Sequence, residues 1–481
     1  PSPTGMPHVG LYHTFLYNWL FARRHGGKFI IRIEDTDVER SVPGAVEALL
    51  DGIRWLGLDW DEGPVVGGPY GPYVQSQRLP IYREHAERLI AEGKAYRCYC
   101  TPERLEALRA EQRARGEPPG YDRWCRWLSP AEREVYERQG LPFVIRFAVP
   151  TEGTTTFHDL LRGDITWENA LIRDFVILKS DGYPTYHLAH LVDDHLMRIS
   201  HVLRGEEWIS TTPWHILLYE AFGWTPPKFA HLPPVLGPDR KKLSKRHGAE
   251  PIASYREAGY LPEALVNFLG ILGCSFDPTG QREIFSLQEM IEAFELERVS
   301  RTGGIFDREK LDWMNGYYIR QMSVEDLACR LMPFLEAAGL VTDADEPYVR
   351  RVVPLVQERL KRLGEAPELT DFFFREPEGY DAYLLVPKGM TVETSGEALL
   401  AARDLASRVE PFEHAALESA FRAKAEEIGV KTGPFFMTVR VALTGRTVAP
   451  PLFQTMEVLG RERVLRRLDA AVERIKGLLE R

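Results

Sequence analysis

At 481 residues the chain is longer than one hydrophobic core usually organises, so about two to four domains are expected. Its 44% apolar and 27% charged residues exclude a chain dominated by disorder, and no apolar run nears the roughly 20 residues of a membrane span. No charged-then-apolar leader opens it, so a cytoplasmic protein with no membrane partner is the expectation. The formal charge of -10 argues against a uniformly basic nucleic-acid binder, yet a local basic patch on an acidic protein can still hold RNA. Five cysteines, an odd number, argue against a secreted disulfide framework.

The chain opens Pro1-Ser2-Pro3-Thr4 without a methionine and enters its first motif at once, so a few residues are expected ahead of Pro1. Leu11, Phe15, Leu16, Trp19 and Leu20 recur at helical spacing, and Gly26-Gly27 after Arg23-Arg24-His25 reads as a helix stop. Phe29 to Ile33 is an apolar, β-branched run ending in Glu34-Asp35-Thr36-Asp37. It predicts a buried strand that delivers carboxylates at its C-terminal end, where open α/β sheets bind ligands. From about Ile81 to Ile172 shorter segments follow, with a cysteine cluster, a helix around Arg104 to Arg115 and a β-like piece at Phe143 to Val149; together they read as an insertion. Phe175 to Leu178 and Ile199 to Leu203 are further strands, the second leading into Arg204-Gly205-Glu206-Glu207-Trp208, and Thr211-Thr212-Pro213 can start the next helix. Beyond Asp307 helical patterns dominate, and Val464, Leu465, Leu468, Val472, Ile475, Leu478 and Leu479 form one apolar stripe.

Two segments are suited to meeting an anion. Pro3-Thr4-Gly5-Met6-Pro7-His8-Val9-Gly10 is a tight turn running into a helix, so backbone N-H groups and the helix dipole can meet an anion beside His8. Alone it is equally a helix start with an incidental histidine. Asp239-Arg240-Lys241-Lys242-Leu243-Ser244-Lys245-Arg246-His247 is an intensely cationic loop between glycines, and alone it is equally a solvated or generic RNA-binding face. No G-x-x-x-x-G-K-[ST] loop is present, which disfavours a P-loop ATPase.

Together the two resemble the HIGH and KMSKS signatures of class I aminoacyl-tRNA synthetases, with His8-Val9-Gly10 for the first and Lys242-Leu243-Ser244-Lys245-Arg246 for the second. Asn18 to Arg24, Arg32-Ile33-Glu34-Asp35-Thr36-Asp37-Val38-Glu39-Arg40, Gly182-Tyr183-Pro184-Thr185-Tyr186 and Val192-Asp193-Asp194-His195 are similar to bacterial glutamyl-tRNA synthetases in particular. The resemblance implies a Rossmann-type α/β catalytic domain with an α+β insertion, followed by an all-α stem-contact and anticodon-binding region. The expected boundaries are 1–80 and 191–240 for the two catalytic halves, 81–190 for the acceptor-binding insertion, 241–310 for the KMSKS loop and stem-contact part, and 311–481 for the anticodon region. It implies ATP as substrate, Mg2+ carried with it, L-glutamate, tRNA(Glu) and a monomer, and leaves open whether tRNA(Gln) is also glutamylated.

By the same resemblance His8, Lys242 and Lys245 serve catalysis, and Gly10, Glu207, Trp208, Leu243, Ser244 and Lys245 hold ATP. Ser2, Glu34, Tyr186, His190 and Arg204 hold glutamate, with the Arg204 fork suited to its side-chain carboxylate. The bland alternative for Arg204 is a structural ion pair with Glu206 or Glu207, and His190 stands where many relatives carry asparagine. His187, His190, Asp193, Asp194 and His195 also admit a metal reading, which the family does not need.

Cys98-x-Cys100 and Tyr121-x-x-x-Cys125, 20 residues apart, resemble the C-x-C-x20-Y-x3-C zinc pattern of some relatives. Cys98, Cys100, Tyr121 and Cys125 are thus the expected metal ligands of a structural Zn2+. Trp127 occupies the place of a histidine ligand used by others, and free buried cysteines are the alternative. Arg359 and Arg440 resemble anticodon-contacting positions, or are arginines of a solvated surface. The helical tail speaks against a glutaminyl enzyme and a shortened tRNA-modifying relative, and Leu11 in place of a second histidine speaks against a His-x-Gly-His nucleotidyltransferase. A non-catalytic RNA-binding paralogue fits poorly with the retained Lys242, Ser244 and Lys245.

Overall fold

The computed structural model describes residues 1–243 and 249–479 and divides into two compact units, Pro1–Tyr255 with Leu265–Arg308, and Arg256–Ala264 with Glu309–Arg481. The first opens on α1 (Val9–Arg24), which buries Tyr12, Phe15, Leu16, Tyr17, Trp19 and Leu20. Its neighbour α2 (Ala45–Trp55) comes so close that a Cβ on Gly52 would overlap the Tyr12 hydroxyl, which donates instead to the Ala48 and Leu49 carbonyls at 3.2 and 3.3 Å.

The predicted strand at 29–33 is extended but is not a regular strand. Its parallel bridges are isolated, Ile30 to Glu62 and Ile33 to Val74. The reason is a change of partner: Ile31 N donates to Glu62 O and Asp61 N to Phe29 O, whereas Ile33 N donates to Tyr73 O and Gln75 N to Ile33 O. Two separate segments share its edge, so no continuous ladder forms. The expectation that its end delivers carboxylates holds, because Glu34 follows directly.

Helix α3 (Leu79–Ala91) precedes β1 (Ala95–Cys98), α4 (Pro102–Ala114), α5 (Pro130–Arg138) and β2 (Val144–Phe147). Then follow β3 (Thr154–Asp159), β4 (Gly163–Glu168), β5 (Val176–Leu178), α6 (Tyr186–Leu196), β6 (His201–Gly205), α7 (Thr212–Phe222) and β7 (Lys228–Leu232). Strands β1, β2 and β5 form an antiparallel sheet. The other sheet has the order β4-β3-β7-β6, with β3, β7 and β6 mutually parallel. Pro213 in the first turn of α7 and Gly223 at φ 71° after its last residue mark both ends of that helix. Leu188, Val192, Ile216, Leu217 and Phe222 from α6 and α7 share one core with Ile145, Phe147, Ile177 and Phe229 of the strands. Each such side chain contributes about 1.5–3 kcal/mol of burial.

Asp193 of α6, wholly buried, is held by Gln75 Nε2 at 2.9 Å, Arg78 Nε at 2.7 Å and Tyr82 Oη at 2.8 Å. Asp194 accepts from Arg32 Nη1 at 2.8 Å. Both carboxylates are therefore consumed by arginines, and His195 lies flat on Trp224 at 3.8 Å, so these residues make no metal cluster.

The second unit is helical among its described residues. Its core joins Leu399 and Ala402 of helix Val392–Arg408, Val439 and Leu443 of helix Thr432–Thr444, and Val464, Leu468, Val472 and Ile475 of helix Arg461–Leu479. Of the predicted stripe, Val464, Leu468, Val472 and Ile475 are buried and form the inner face, Leu465 and Leu478 are half-buried and Leu479 is exposed. Arg467, buried on this face, donates to the Leu443, Phe372 and Arg375 carbonyls at 2.7, 2.7 and 3.0 Å, which satisfies helix ends that lack partners of their own. No described helix is long and apolar enough to cross a membrane.

Candidate active site

A cleft of about 2010 Å³ in the first unit is lined by the N-terminal turn, the start of α1, the Glu34 segment, α6, the C-terminal end of β6 and the strand-like edge reaching Leu243. Ser2, His8, Gly10, Glu34, Tyr186, His190, Arg204, Glu207, Trp208, Lys242 and Leu243 all line it, although they are drawn from positions 2 to 243. Ser244 and Lys245 lie outside the described residues.

At the outer end, His8 caps α1 with backbone alone, and the first turn holds no acidic residue. The helix start therefore offers its N-H groups and positive dipole end to the cleft. Gly10 keeps this place open, because a Cβ there would come 3.2 Å from the His8 ring. Partial desolvation and the nearby Lys242 ammonium hold His8 below its ordinary pKa. Lys242 follows a tight turn in which Gly237 N donates to Lys241 O and Arg240 N to Gly237 O. Its Nζ donates to Glu207 Oε1 at 3.2 Å in an exposed pair.

The inner end is built differently. Arg204 is 7% exposed and has no carboxylate partner among the described residues. Its Nε donates to His231 Nε2 at 3.2 Å, Nη1 to Tyr186 Oη at 3.2 Å, and Nη2 to Thr212 Oγ1 at 2.8 Å and His215 Nδ1 at 3.2 Å. Glu206 pairs instead with Arg162, and Glu207 with Lys242, so the structural ion pair considered for Arg204 is ruled out. Four neutral acceptors hold the fork and leave its charge uncompensated, with one Nη1 hydrogen unspent. Tyr186 is raised to about 12 by burial, against the pull of Arg204, and keeps its proton. A buried cation with a spare N-H beside a spare O-H is a receptor for a carboxylate.

Glu34 pairs with Arg32 at 3.0 Å, and its charge is felt at His190. The His190 ring stacks on Tyr186 at 4.4 Å and 8°, and Nδ1 lies 2.8 Å from the Tyr186 carbonyl. A carbonyl only accepts, so Nδ1 carries the proton and Nε2, buried and unpartnered, presents a lone pair. Burial and Arg204 lower His190 to about 3. Trp208 closes the pocket, its ring 4.2 Å from that of Tyr186.

Away from the cleft, Cys98, Cys100 and Cys125 are the one group of potential metal-binding side chains among the described residues, their Sγ atoms within 4.8 Å of one another. Tyr121 Oη lies 3.3 Å from Cys98 Sγ and 3.7 Å from Cys100 Sγ, and Cys100 lies 3.5 Å from Cys125. A tetrahedron of thiolate and phenol ligands around zinc has edges of about 3.5–3.8 Å. The Cys100–Cys125 and Cys100–Tyr121 separations match such edges, and the Cys98–Tyr121 separation is slightly shorter. Tyr99 N and Arg104 Nη1 point at Cys125 and Cys100 sulfurs, as outer partners of thiolates do. Trp127 stands out to solvent and takes no part. In the second unit, helix Thr432–Thr444 brings Arg440 beside Arg359, and burial together with that like charge lowers the Arg440 pKa. Its Nε is buried without a partner.

Sequence reasoning missed Thr212, His215 and His231 as partners of Arg204, and Asp159 behind His231. Thr212 reads in the sequence only as part of a helix start, and the others carry no local motif. The alternation of β7 could place His231 on a sheet face, but not opposite Arg204.

Residues 1–313 match the family described as tRNA synthetases class I (E and Q), catalytic domain, and residues 326–472 match an anticodon binding domain. A protein of Dehalococcoides mccartyi named glutamate–tRNA ligase is 55% identical over 481 residues, covering 99% of this chain and 97% of that protein. A protein of the same name from Moorella thermoacetica is 49% identical over 480 residues, with 99% and 97% covered. A solved glutamate tRNA ligase from Elizabethkingia meningosepticum, in complex with its amino acid, superposes with a TM-score of 0.90 at 36% identity, covering 98% of each chain.

Proposed function

Because the chain belongs to the glutamate–tRNA ligase branch of the class I tRNA synthetases, we propose that it joins L-glutamate to the 3' end of tRNA(Glu) at the cost of ATP, through a glutamyl-adenylate. The observation that carries the amino-acid assignment is Arg204, a buried guanidinium whose described partners are all neutral. Its spare N-H and the Tyr186 hydroxyl meet the side-chain carboxylate. Glutamine would bring an amide nitrogen against these donors and leave one of them unpaired. Glu34 and the bare Nε2 of His190 accept from the substrate ammonium, and Ser2 borders the same end.

In the first step the glutamate α-carboxylate oxygen attacks the α-phosphorus of ATP and pyrophosphate departs. His8 and the open start of α1 steady the phosphates, and Lys242 neutralises charge that grows on the leaving group. Lys245 and Ser244 join it in this reading, and Glu207, Trp208, Gly10 and Leu243 border the nucleotide. Mg2+ bound to the ATP phosphates supplies further charge neutralisation. In the second step a ribose hydroxyl at the tRNA end attacks the glutamyl carbonyl and AMP leaves. Arg359 and Arg440 suit base contacts at the anticodon, where the unpartnered Nε of Arg440 gains an acceptor.

Labelled glutamate offered with ATP and tRNA becomes acid-insoluble on this reading, and preferential charging of glutamine overturns it. Purified tRNA(Glu) and tRNA(Gln) run side by side define the RNA range, with tRNA(Glu) expected to be charged. For the cysteine cluster, metal analysis of protein purified without chelator gives about one zinc per chain; a zinc-free, fully active preparation excludes that site.

A further inference from the structure

The three parallel strands β3, β7 and β6 each carry, at the last residue or the one before it, a polar side chain of one chain of hydrogen bonds. Arg204 of β6 lies opposite His231 of β7 in the strand register, and Asp159 is the last residue of β3. Arg204, His231 and Asp159 are all buried. His231 Nε2 lies 3.2 Å from Arg204 Nε, and His231 Nδ1 lies 2.7 Å from Asp159 Oδ2.

An arginine can only donate, and an ionised carboxylate can only accept. The imidazole between them therefore has one permitted form, with the proton on Nδ1 toward Asp159 and the lone pair of Nε2 toward Arg204. Asp159 is itself fixed, since Oδ1 accepts from Leu161 N and Arg162 N and Oδ2 from His231 N, each at 3.0 Å. The same logic runs through His215, whose Nδ1 accepts from Arg204 and whose Nε2 donates to His187 Nδ1 at 3.0 Å.

We propose that Asp159 and His231 are positioning residues for substrate selection: Asp159 locks the His231 tautomer, and the locked ring sets the plane and reach of the Arg204 fork toward the glutamate side chain. The inference rests on the reading of Arg204 as the anchor for that carboxylate. An anion placed directly against Arg204 would also orient it, but would neutralise the charge the substrate needs. Setting the carboxylate one imidazole away orients the fork and leaves its charge for the ligand.

The test uses the full chain labelled with 15N at its histidines, with long-range proton–nitrogen spectra and the His231 signals assigned by their loss in His231→Gln. The expected spectrum shows Nδ1 protonated and Nε2 bare; a His231 protonated at Nε2 overturns the proposal. In aminoacylation, Asp159→Asn and His231→Leu raise the glutamate KM by about tenfold while the KM values for ATP and tRNA stay within about twofold. His231→Gln, which can keep an oxygen acceptor toward Arg204, loses less than His231→Leu. Equal losses for all three substrates, an unchanged glutamate KM, or identical behaviour of the two His231 variants overturn it. Arg204→Lys separates the two layers: an unchanged glutamate KM there, with the tautomer as expected, condemns the substrate reading and spares the geometry.

Discussion

The two ends of the cleft solve opposite problems with the same kinds of side chain. At the inner end His231 and Arg204 are buried, Tyr186 is half-buried, and Arg204 is bonded to both before any ligand arrives. At the outer end His8, Lys242 and Glu207 are exposed and loosely tied, and the helix start between them is held open. On the proposed reading a carboxylate of one size is recognised inside, and preorganisation selects it. Outside, a triphosphate becomes a monophosphate and a departing pyrophosphate, so the cations must tolerate change. Selection is thus built from burial and chemistry from accessible charge.

Substitutions can separate those ends. Arg204→Ala is expected to lower kcat/KM for glutamate by about 10³-fold, mostly through KM, with the ATP KM little changed. A comparable loss for ATP breaks the division. Lys242→Ala is expected to lower kcat by about 10²-fold and leave the glutamate KM within about twofold; steady-state charging at varied glutamate checks it. Gly10→Ala, which crowds the His8 ring, is expected to cost about tenfold in kcat with no change in amino-acid choice.

The smallest effect sharpens the contrast most. Burial holds His187 and His190 at about 3, and His215 well below 6.5, so the inner end keeps its charge pattern through the neutral range. The glutamate KM is expected to be flat between about pH 6 and 8, and a step near the ordinary histidine value of about 6.5 contradicts a preformed neutral shell. Stability moves the other way. The unfolded chain takes protons on these histidines near about 6.5 while the folded chain resists them, so their stabilising contribution is full above that value and falls as pH drops toward their folded values. Urea midpoints at pH 7.5 and 5 are expected to show the decline.

Much of this architecture was legible because its signals are local. His8-Val9-Gly10, the cationic loop, the Cys98 cluster and the stripe on the last helix each declare themselves by composition or period. The segment at 29–33 deceived because an apolar run reports burial and not pairing, and its edge is divided between two partners. Asp159, Thr212, His215 and His231 stayed hidden for a similar reason. For Asp159 and His231 the relation to Arg204 is a matter of strand order, β7 sitting between β3 and β6 although it follows both in the chain. Thr212 and His215 reach Arg204 from the helix that follows β6.

The neutrality of the shell around Arg204 also bears on how such a pocket can change over generations. Had a buried carboxylate faced the guanidinium, any replacement of the arginine would strand an anion and endanger the fold. Here the carboxylate behind His231, Asp159, is already satisfied by that ring and three backbone N-H groups, whatever stands at position 204. If Arg204 chooses the substrate as proposed, that charge is a detachable part, and a lineage carrying this fold can exchange an acidic substrate for an uncharged one without first rebuilding its core.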